Sequence, residues 1–195
     1  MRNLLIFFLL FSNLTFSQHN FESWQKWKNE MQEFYLNPET SPLKKDELSV
    51  FKGIQFYPYK DEFVIETKVE YLENQLPFEM ATTGDKIQKY VCVALLHFEI
   101  DSNKYQLELY QSVQLRVNEK YKDYYFLPFL DNTNGVSTSS VGRYIDVSFS
   151  GTPETIIIDF NKAYHPYCAY TDGYSCPITP FQNLLNLAIT AGVKY

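Results

Sequence analysis

The sequence has little of what marks a non-globular chain. Only 7 glycines and 9 prolines occur in 195 residues, which excludes a collagen repeat and a Pro/Gly-rich low-complexity chain. Charged residues make up 21% and aromatic residues 17%, and this balance excludes an intrinsically disordered chain. A chain of this length can bury about 70% of the surface that it exposes when unfolded. We therefore expect one structural domain overall, with a core that needs neither a metal nor a disulfide framework.

Long hydrophobic runs are also missing. The run near the N-terminus, residues 4–11, is shorter than the roughly 20 residues that a membrane helix needs. Arg2 precedes this run and small residues follow it, which is the pattern of a signal peptide over residues 1–17; a retained membrane anchor is the alternative. The first cysteine is Cys92, so none is available for lipid attachment at the cleavage point. We predict an exported, soluble protein, periplasmic or extracellular, with no membrane in its mature form.

Basic residues are outnumbered by acidic ones. The chain has 17 Lys and Arg against 23 Asp and Glu, a formal net charge of −6. An excess of scattered carboxylates repels phosphate backbones and anionic lipids. The composition therefore predicts neither a nucleic-acid partner nor a membrane surface as partner.

The predicted N-terminal helical segment covers residues 18–53. Apolar residues recur every three or four positions over residues 21–35, and a second helix is expected to begin at Ser41. Trp24 and Trp27 lie on the apolar face of the first helix. A docked helix needs such residues in any case, so we predict that both tryptophans pack in the core and do not form a platform for ligand stacking.

After residue 53 the apolar residues alternate with polar ones, which is the pattern of β-strands. Seven strands are predicted, at residues 63–71, 78–82, 87–100, 105–113, 124–130, 144–149 and 155–159. Short turns connect them, and no helical pattern lies between them. We predict a mainly β (α+β) fold with a curved antiparallel sheet that is barrel-like or forms a sandwich.

The chain is predicted to close with a C-terminal helix. Thr179 and Gln182 have the spacing of a capping box, with Pro180 as the first helical residue and Gly192 as the stop. The β-rich domain, including this helix, is expected to cover residues 54–195.

Standard catalytic motifs do not occur. The sequence has no phosphate-binding Gly-rich loop, nucleophile elbow, zinc-protease helix or Cys-x-x-Cys pair. Two polar segments stand out instead, residues 127–146 and 159–180. Both follow predicted strands, and long polar loops on β scaffolds commonly carry the functional site.

Several stretches carry a resemblance to a known family. They read FKGIQFYPYKDEF, YYFLPFLDNTNG, GRYID, and IDFNKAYHPYCAYTDGYSCPITPFQNLL followed by AGVK. Over most of the predicted mature chain the sequence resembles an uncharacterised prokaryotic family, the domain of unknown function 1684. The resemblance implies no activity, but it directs attention to the matching positions: Asp131, Thr133, Gly135, Arg143, Tyr144, Asp159, Asn161, Tyr164, Cys168 and Cys176. The sequence departs from the family pattern at Ser139, Ser140, His165 and Val193.

Cys168 and Cys176 leave several kinds of site open. In an exported protein a disulfide across this short separation is a natural staple. The resemblance extends to proteins that look cytosolic, which keeps a free thiol pair or a metal site open. His165 with both cysteines and with Asp159 or Asp172 could bind zinc, and Cys168 with His165 could act as a nucleophile. We take the pair as a disulfide candidate, predict no metal, and expect His165 to be a half-exposed loop residue.

Two aspartates and one arginine also have alternative roles. Asp131 and Asp159 each end a predicted strand, where they would form turns or serve as an acid–base or cation-binding pair. Arg143 would either bridge local carboxylates or present a bidentate fork to an anionic ligand.

The function that we predict is a module that binds a small polar or anionic ligand. The loops 127–146 and 159–180 would form one mouth. The ligand-binding residues are expected to be Asp131, Thr133, Arg143, Tyr144, Asp159, Asn161 and Tyr164. The alternative is a hydrolase, or a thiol- or metal-dependent enzyme, that uses Cys168 and Cys176 or Asp131 and Asp159. The sequence does not identify a cofactor.

Overall fold

The computed structural model describes the main chain of residues 2–195 and the side chains of residues 17–195. The signal peptide predicted over residues 1–17 lies, apart from Ser17, outside the residues whose side chains are described. Among the described residues, no helix has both the length and the apolar character needed to cross a bilayer.

Two helices precede the sheet. Helix α1 (Arg2–Leu36) includes the predicted residues 21–35, and it buries Trp24. Helix α2 (Lys45–Val50) begins four residues after Ser41, because the Ser41 hydroxyl accepts a hydrogen bond from the Leu43 amide instead of capping the helix.

All seven predicted strands are confirmed, close to the predicted limits. They are β2 (Val64–Tyr71), β3 (Phe78–Met80), β4 (Gln88–Ile100), β5 (Asn103–Ser112), β6 (Tyr124–Phe129), β7 (Arg143–Ser148) and β8 (Thr155–Asp159). Two further short strands, β1 (Gln55–Phe56) and β9 (Val193–Lys194), pair with each other. They are too short to leave an alternating pattern in the sequence.

The seven strands form one antiparallel sheet. The order is β7-β6-β5-β4-β2-β8, and β3 pairs with β4. The sheet curls into a half-barrel, as expected for a mainly β chain with short connections. Strands β7 and β8 are its two edges, and they are consecutive in the chain without pairing with each other. The barrel is therefore open along one line.

The core lies inside the half-barrel. Its fully buried side chains include Leu96, Leu107, Leu109, Leu127, Phe129, Ile158 and Phe160. Residues of the C-terminal segment, Leu185, Ile189 and Ala191, pack into the same cluster. Burial of each large apolar side chain stabilises the fold by about 1.5–3 kcal/mol. The outer face carries a second cluster that includes Tyr110, Phe126 and Tyr144.

The predicted C-terminal helix is wrong. Only a short 3-10 turn forms (Phe181–Asn183), and the chain then runs extended along residues 130–132. The Leu185 amide donates to the Leu130 carbonyl, and the Ile189 amide donates to the Asp131 carboxylate at 2.6 Å. These tertiary partners take the amides that a helix would bond to its own carbonyls, and they outweigh the local capping signals.

Gly192 has a different role from the predicted helix stop. It adopts a φ of +75°, and a Cβ at this position would lie 2.6 Å from the Ala163 carbonyl oxygen. Only glycine combines this conformation with so close an approach of two backbones. The close contact brings the C-terminal segment against the end of the sheet.

Candidate binding site

Asp131, Thr133 and Arg143 form a buried network. The side chains of Arg143 and Asp131 are both 0% exposed and lie 3.2 Å apart. The guanidinium also donates to the Ile189 carbonyl at 2.8 Å and to that of Ala191, while the Thr133 hydroxyl donates to Asp131 at 2.8 Å. Burial lowers the pKa of Arg143, and the neighbouring Asp131 carboxylate acts against this shift. The network ties β7 to the C-terminal segment, and it offers no exposed atom to a ligand.

Asn161 and Asp159 organise the end of β8. The buried Asn161 amide group accepts from the Lys60 amide and donates to the Lys60 carbonyl, both at 2.9 Å. Asp159 accepts from the amide of Asn161 at 3.0 Å and lies 3.8 Å from the Lys162 ammonium. Burial raises the pKa of Asp159, while Asn161 and Lys162 oppose the rise. Asn161 therefore holds the main chain of Lys60 at the end of β8. Asp159, in contrast, lines a cleft between β7 and β8.

Tyr144 and Tyr164 meet at the edge of the sheet. Their main chains exchange two hydrogen bonds of 2.9 Å, and their rings pack edge to face at 5.8 Å. The Tyr144 hydroxyl donates to the Pro177 carbonyl inside the protein. The Tyr164 hydroxyl instead donates to Asp146 at 2.7 Å. Tyr144 is thus buried, whereas the Tyr164 hydroxyl contacts the carboxylate of Asp146, an exposed residue.

One oxygen of Asp146 holds two tyrosines. Its Oδ1 accepts from Tyr164 and from Tyr124, each at 2.7 Å. Burial, followed by the charge of Asp146, raises the pKa of both phenols well above the usual value for tyrosine, so both stay protonated. The second oxygen, Oδ2, has no hydrogen-bond partner among the described residues. Asp146 is exposed, and its carboxylate is fixed by two donors.

The three cysteines carry free thiols, and the described residues contain no disulfide. Cys168 and Cys176 are neighbours, since the Cys168 amide lies 3.4 Å from the Cys176 sulfur. Burial raises the pKa of the Cys176 thiol to about 11 and that of Cys92 to about 12. The disulfide candidate is therefore not formed in this structure, and neither of these two thiols is activated.

His165 is buried, not half-exposed as predicted. Its Nε2 accepts from the Ser139 amide at 3.2 Å, and its Nδ1 lies 3.1 Å from the Tyr170 hydroxyl. Burial, helped by the charge of Arg143, lowers the pKa of His165 to about 3, so the imidazole is neutral. Among the described side chains, no group of three or more His, Cys, Asp or Glu residues is placed to hold a metal ion.

A cleft follows the open line of the half-barrel. We call it the seam cleft; it lies between β7 and β8, has a volume of about 600 Å³, and has Ile145, Val147 and Ile156 among its apolar lining residues. Loop 149–154 connects the two strands at one end, and the main-chain pair of Tyr144 and Tyr164 closes the other. A site of this size suits a small ligand.

A second groove continues from the seam cleft beneath α1. This α1 groove has a volume of about 280 Å³, and its walls include Met31, Phe34 and Tyr167. Trp27, Asp146 and Tyr164 line both spaces. The fixed carboxylate thus lies at the junction, with aromatic side chains around it.

The junction is negatively charged. The ionisable acidic groups that line the two spaces are Glu30, Asp146 and Asp159, and the basic group is Lys162. Lys162 is held by a 2.8 Å hydrogen bond to Ser23 of α1. The arrangement can accept a cationic group at Asp146 and offers one cation, Lys162, to a carboxylate.

The predicted residues are thus divided between two places. Tyr164 and Asp159 line the seam cleft, whereas the remaining five act from the interior: Asp131, Thr133, Arg143, Tyr144 and Asn161. Sequence reasoning missed Asp146, Tyr124 and Trp27 as site residues. Asp146 had a usable signal, because it is the exposed position between the buried Ile145 and Val147 on β7. Trp24 is a core residue as predicted. For Trp27 this prediction is confirmed only in part, because its half-buried side chain packs against a buried cluster and also lines the cleft.

Known proteins share sequence and fold with this chain, but those found have no described function. Residues 49–194 match the model of a family described as "Protein of unknown function (DUF1684)". The chain is also similar to an uncharacterized protein of Haloarcula marismortui solved by solution NMR, with 28% identity and a TM-score of 0.71 over 92% of this chain and 96% of that chain. No curated protein matches. The half-barrel is therefore shared, and the function has to be argued from the site.

Proposed function

The chain belongs to the DUF1684 family, proteins of unknown function, and we propose that it is a binding module for a small polar ligand. The ligand lies where the seam cleft meets the α1 groove, against Trp27, Asp146 and Tyr164. Such a site is concave and combines an apolar lining with fixed polar groups, which is the general character of a ligand pocket.

The observation that carries the proposal is the state of Asp146. Two tyrosine hydroxyls hold its Oδ1, so the carboxylate keeps one orientation with Oδ2 directed to other partners. A preoriented carboxylate beside aromatic rings is the combination that binds ammonium groups, through charge and through the faces of the rings. We therefore propose that the ligand carries a positive charge at this point.

An anionic ligand has less support. That interpretation depended on Arg143, whose guanidinium is fully buried and engaged by Asp131 and by main-chain carbonyls. Lys162 is the remaining cation of the cleft, and Asp159 and Asp146 lie along the same cleft. A ligand with both a cationic and an anionic group fits this distribution better than a purely anionic one.

The enzyme alternative also has less support than binding. Asp131 and Asp159 share no partner, since Asp131 serves Arg143 and Ile189, whereas Asp159 serves Asn161. Burial raises the pKa of the Cys176 thiol, which opposes formation of the reactive thiolate, and both ring nitrogens of His165, the base expected for Cys168, have other partners in Ser139 and Tyr170.

Export to the periplasm or the extracellular space remains part of the proposal. It is supported by the charge and apolar pattern of residues 1–17. Mass spectrometry of the protein recovered outside the cytoplasm tests it: a chain that begins at Gln18 supports export, and a chain that retains these residues contradicts it.

The binding proposal is tested with N-methylpyridinium, a small cation that quenches tryptophan fluorescence. We expect saturable quenching from Trp27 in the wild type and about tenfold weaker binding in Asp146→Asn, because the substitution removes the attracting charge and keeps the side-chain shape. Asp85→Asn is the matched control, since Asp85 is exposed in the turn before β4. Equal binding by all three proteins would contradict the proposal.

A further inference from the structure

The main chain of β7 has unpaired groups facing the seam cleft. Pro128 lies opposite Tyr144 and has no amide hydrogen, and the amide and carbonyl of Tyr144 point outward to Tyr164. The Phe149 amide, in contrast, donates to Asp123 across the β6 side. Because orientation alternates along a strand, Asp146 and Ser148 share the outward orientation of Tyr144. In the β6–β7 register these two residues do not face β6, and their amides and carbonyls have no other main-chain partner among the described residues.

Strand β8 shows the same pattern on the opposite wall. The Val69 amide donates to the Glu154 carbonyl. In this register the main-chain amides and carbonyls of Ile156 and Ile158 point toward β2. The amides and carbonyls of Thr155, Ile157 and Asp159 therefore face away from β2, toward the seam. Donors and acceptors of peptide groups thus line both sides of one cleft.

The cleft limits the length of its occupant. Asp146 and Ser148 are two residues apart, which is about 7 Å along a strand. The loop 149–154 and the Tyr144–Tyr164 pair close the two ends, so a long strand cannot pass through. The occupant that pairs with both residues is short.

Charge along the cleft distinguishes the ends of such an occupant. Asp146 offers the free Oδ2 to an ammonium group, and Lys162 offers an ammonium group to a carboxylate. Asp159 adds a second carboxylate on the β8 side. The cleft therefore matches a zwitterion whose charges are separated by peptide groups.

We propose that the ligand is a di- or tripeptide with free ends, which adds a short strand to the outer edge of β7 at Asp146 and Ser148. Its ammonium group binds Asp146, and its amide groups pair with the main chain, as in other cases of strand addition. This inference rests on the proposed binding function, which it deepens by naming the class of ligand.

The test compares three probes on the full chain by NMR titration of the Asp146 and Ser148 amides. The probes are trialanine, trialanine methylated on its central amide nitrogen, and N-methylpyridinium. We expect trialanine to bind and the methylated tripeptide to bind at least about tenfold more weakly, because methylation removes one donor and blocks the approach of the strands. Asp146→Asn is expected to weaken the binding of both trialanine and the pyridinium ion.

A main-chain variant separates strand addition from charge recognition. Ser148→Pro removes an outward amide and no bond of the β6–β7 ladder, and proline is tolerated on such an edge. We expect this variant to keep pyridinium binding and to lose most trialanine binding. The methylated probe gives the same information on the wild-type protein if the proline variant does not fold.

The outcomes distinguish the two proposals. If the tripeptide and its methylated form bind equally, or if only the pyridinium ion binds, the peptide inference is overturned and the binding function stands. If no probe binds, both are overturned. If the β7 amides shift with protein concentration while trialanine has no effect, the edge pairs with a second copy of the chain, which also overturns the peptide inference.

Discussion

Replacement of Arg143 by methionine tests whether this residue supports the fold or contacts a ligand. In the wild type the guanidinium bonds Asp131 at 3.2 Å and the Ile189 carbonyl at 2.8 Å, and both charged side chains are fully buried. Methionine fills much of the volume but leaves the Asp131 carboxylate without its counter-ion. It also frees the carbonyls that hold the C-terminal segment.

The expected cost follows from the burial of the pair. Removal of one partner from a buried ion pair costs about 3–5 kcal/mol, because the remaining charge stays in the interior. A domain of this kind has a total stability of about 5–15 kcal/mol, so Arg143→Met is expected to be strongly destabilised but measurable. The double variant Arg143→Met, Asp131→Asn is expected to lose about 1–3 kcal/mol less than the sum of the single variants, because it leaves no unpaired charge.

Urea unfolding followed by fluorescence and circular dichroism measures these free energies. Lys26→Met is the control, because the Lys26–Glu30 pair is 78% and 63% exposed and such pairs contribute little. A loss below about 1 kcal/mol in Arg143→Met, equal to that of the control, would refute the structural role of the buried network.

Three further predictions follow from the buried polar residues. Asn183→Ala is expected to cost about 2–4 kcal/mol in urea unfolding, because the Asn183 side chain makes three hydrogen bonds to main-chain groups of β5 and β6; a cost near zero would contradict this role. The pKa of His165 is about 3 in the folded protein and about 6.5 in the unfolded chain. The contribution of the neutral imidazole to the free energy of unfolding is therefore fully present above about pH 6.5, and it falls by about 1.4 kcal/mol per pH unit between about pH 6.5 and pH 3. In His165→Asn this part of the pH dependence is expected to disappear, and an unchanged pH profile would contradict the assignment. Cys92 and Cys176 are expected to react with iodoacetamide only after unfolding, as measured by peptide mass mapping; rapid labelling of Cys176 in the native protein would favour the thiol-dependent enzyme instead.

The strands were predictable because their signal is local. Alternation of apolar and polar residues reports one buried face, as in β2, where Ile65 and Thr67 are buried while Glu66 and Lys68 are exposed. The prediction of a C-terminal helix was wrong because its signals are local while the bonds that decide the structure are not. The capping signals at Thr179 and Pro180 are local, but the amides of Leu185 and Ile189 bond to groups more than fifty residues away in the chain.

The candidate site was predictable only in part. The polar segments 127–146 and 159–180 do contribute Asp146, Asp159 and Tyr164 to it. The sequence does not show which strands form the edges of the sheet, so the opening between β7 and β8 could not be located. For Arg143 the sequence left two alternatives, and the structure shows the bridge to a local carboxylate, Asp131; its further bonds to carbonyls of a distant segment could not be read from the sequence.

An NMR map of N-methylpyridinium binding on the wild-type protein tests the proposed binding site without any substitution. We expect saturable shifts confined to the junction: the Trp27 indole, the amides of β7 around Asp146, and Tyr164. Shifts confined to another cavity, such as the one lined by Cys92 and Glu108, or no saturable shift at all, would contradict it.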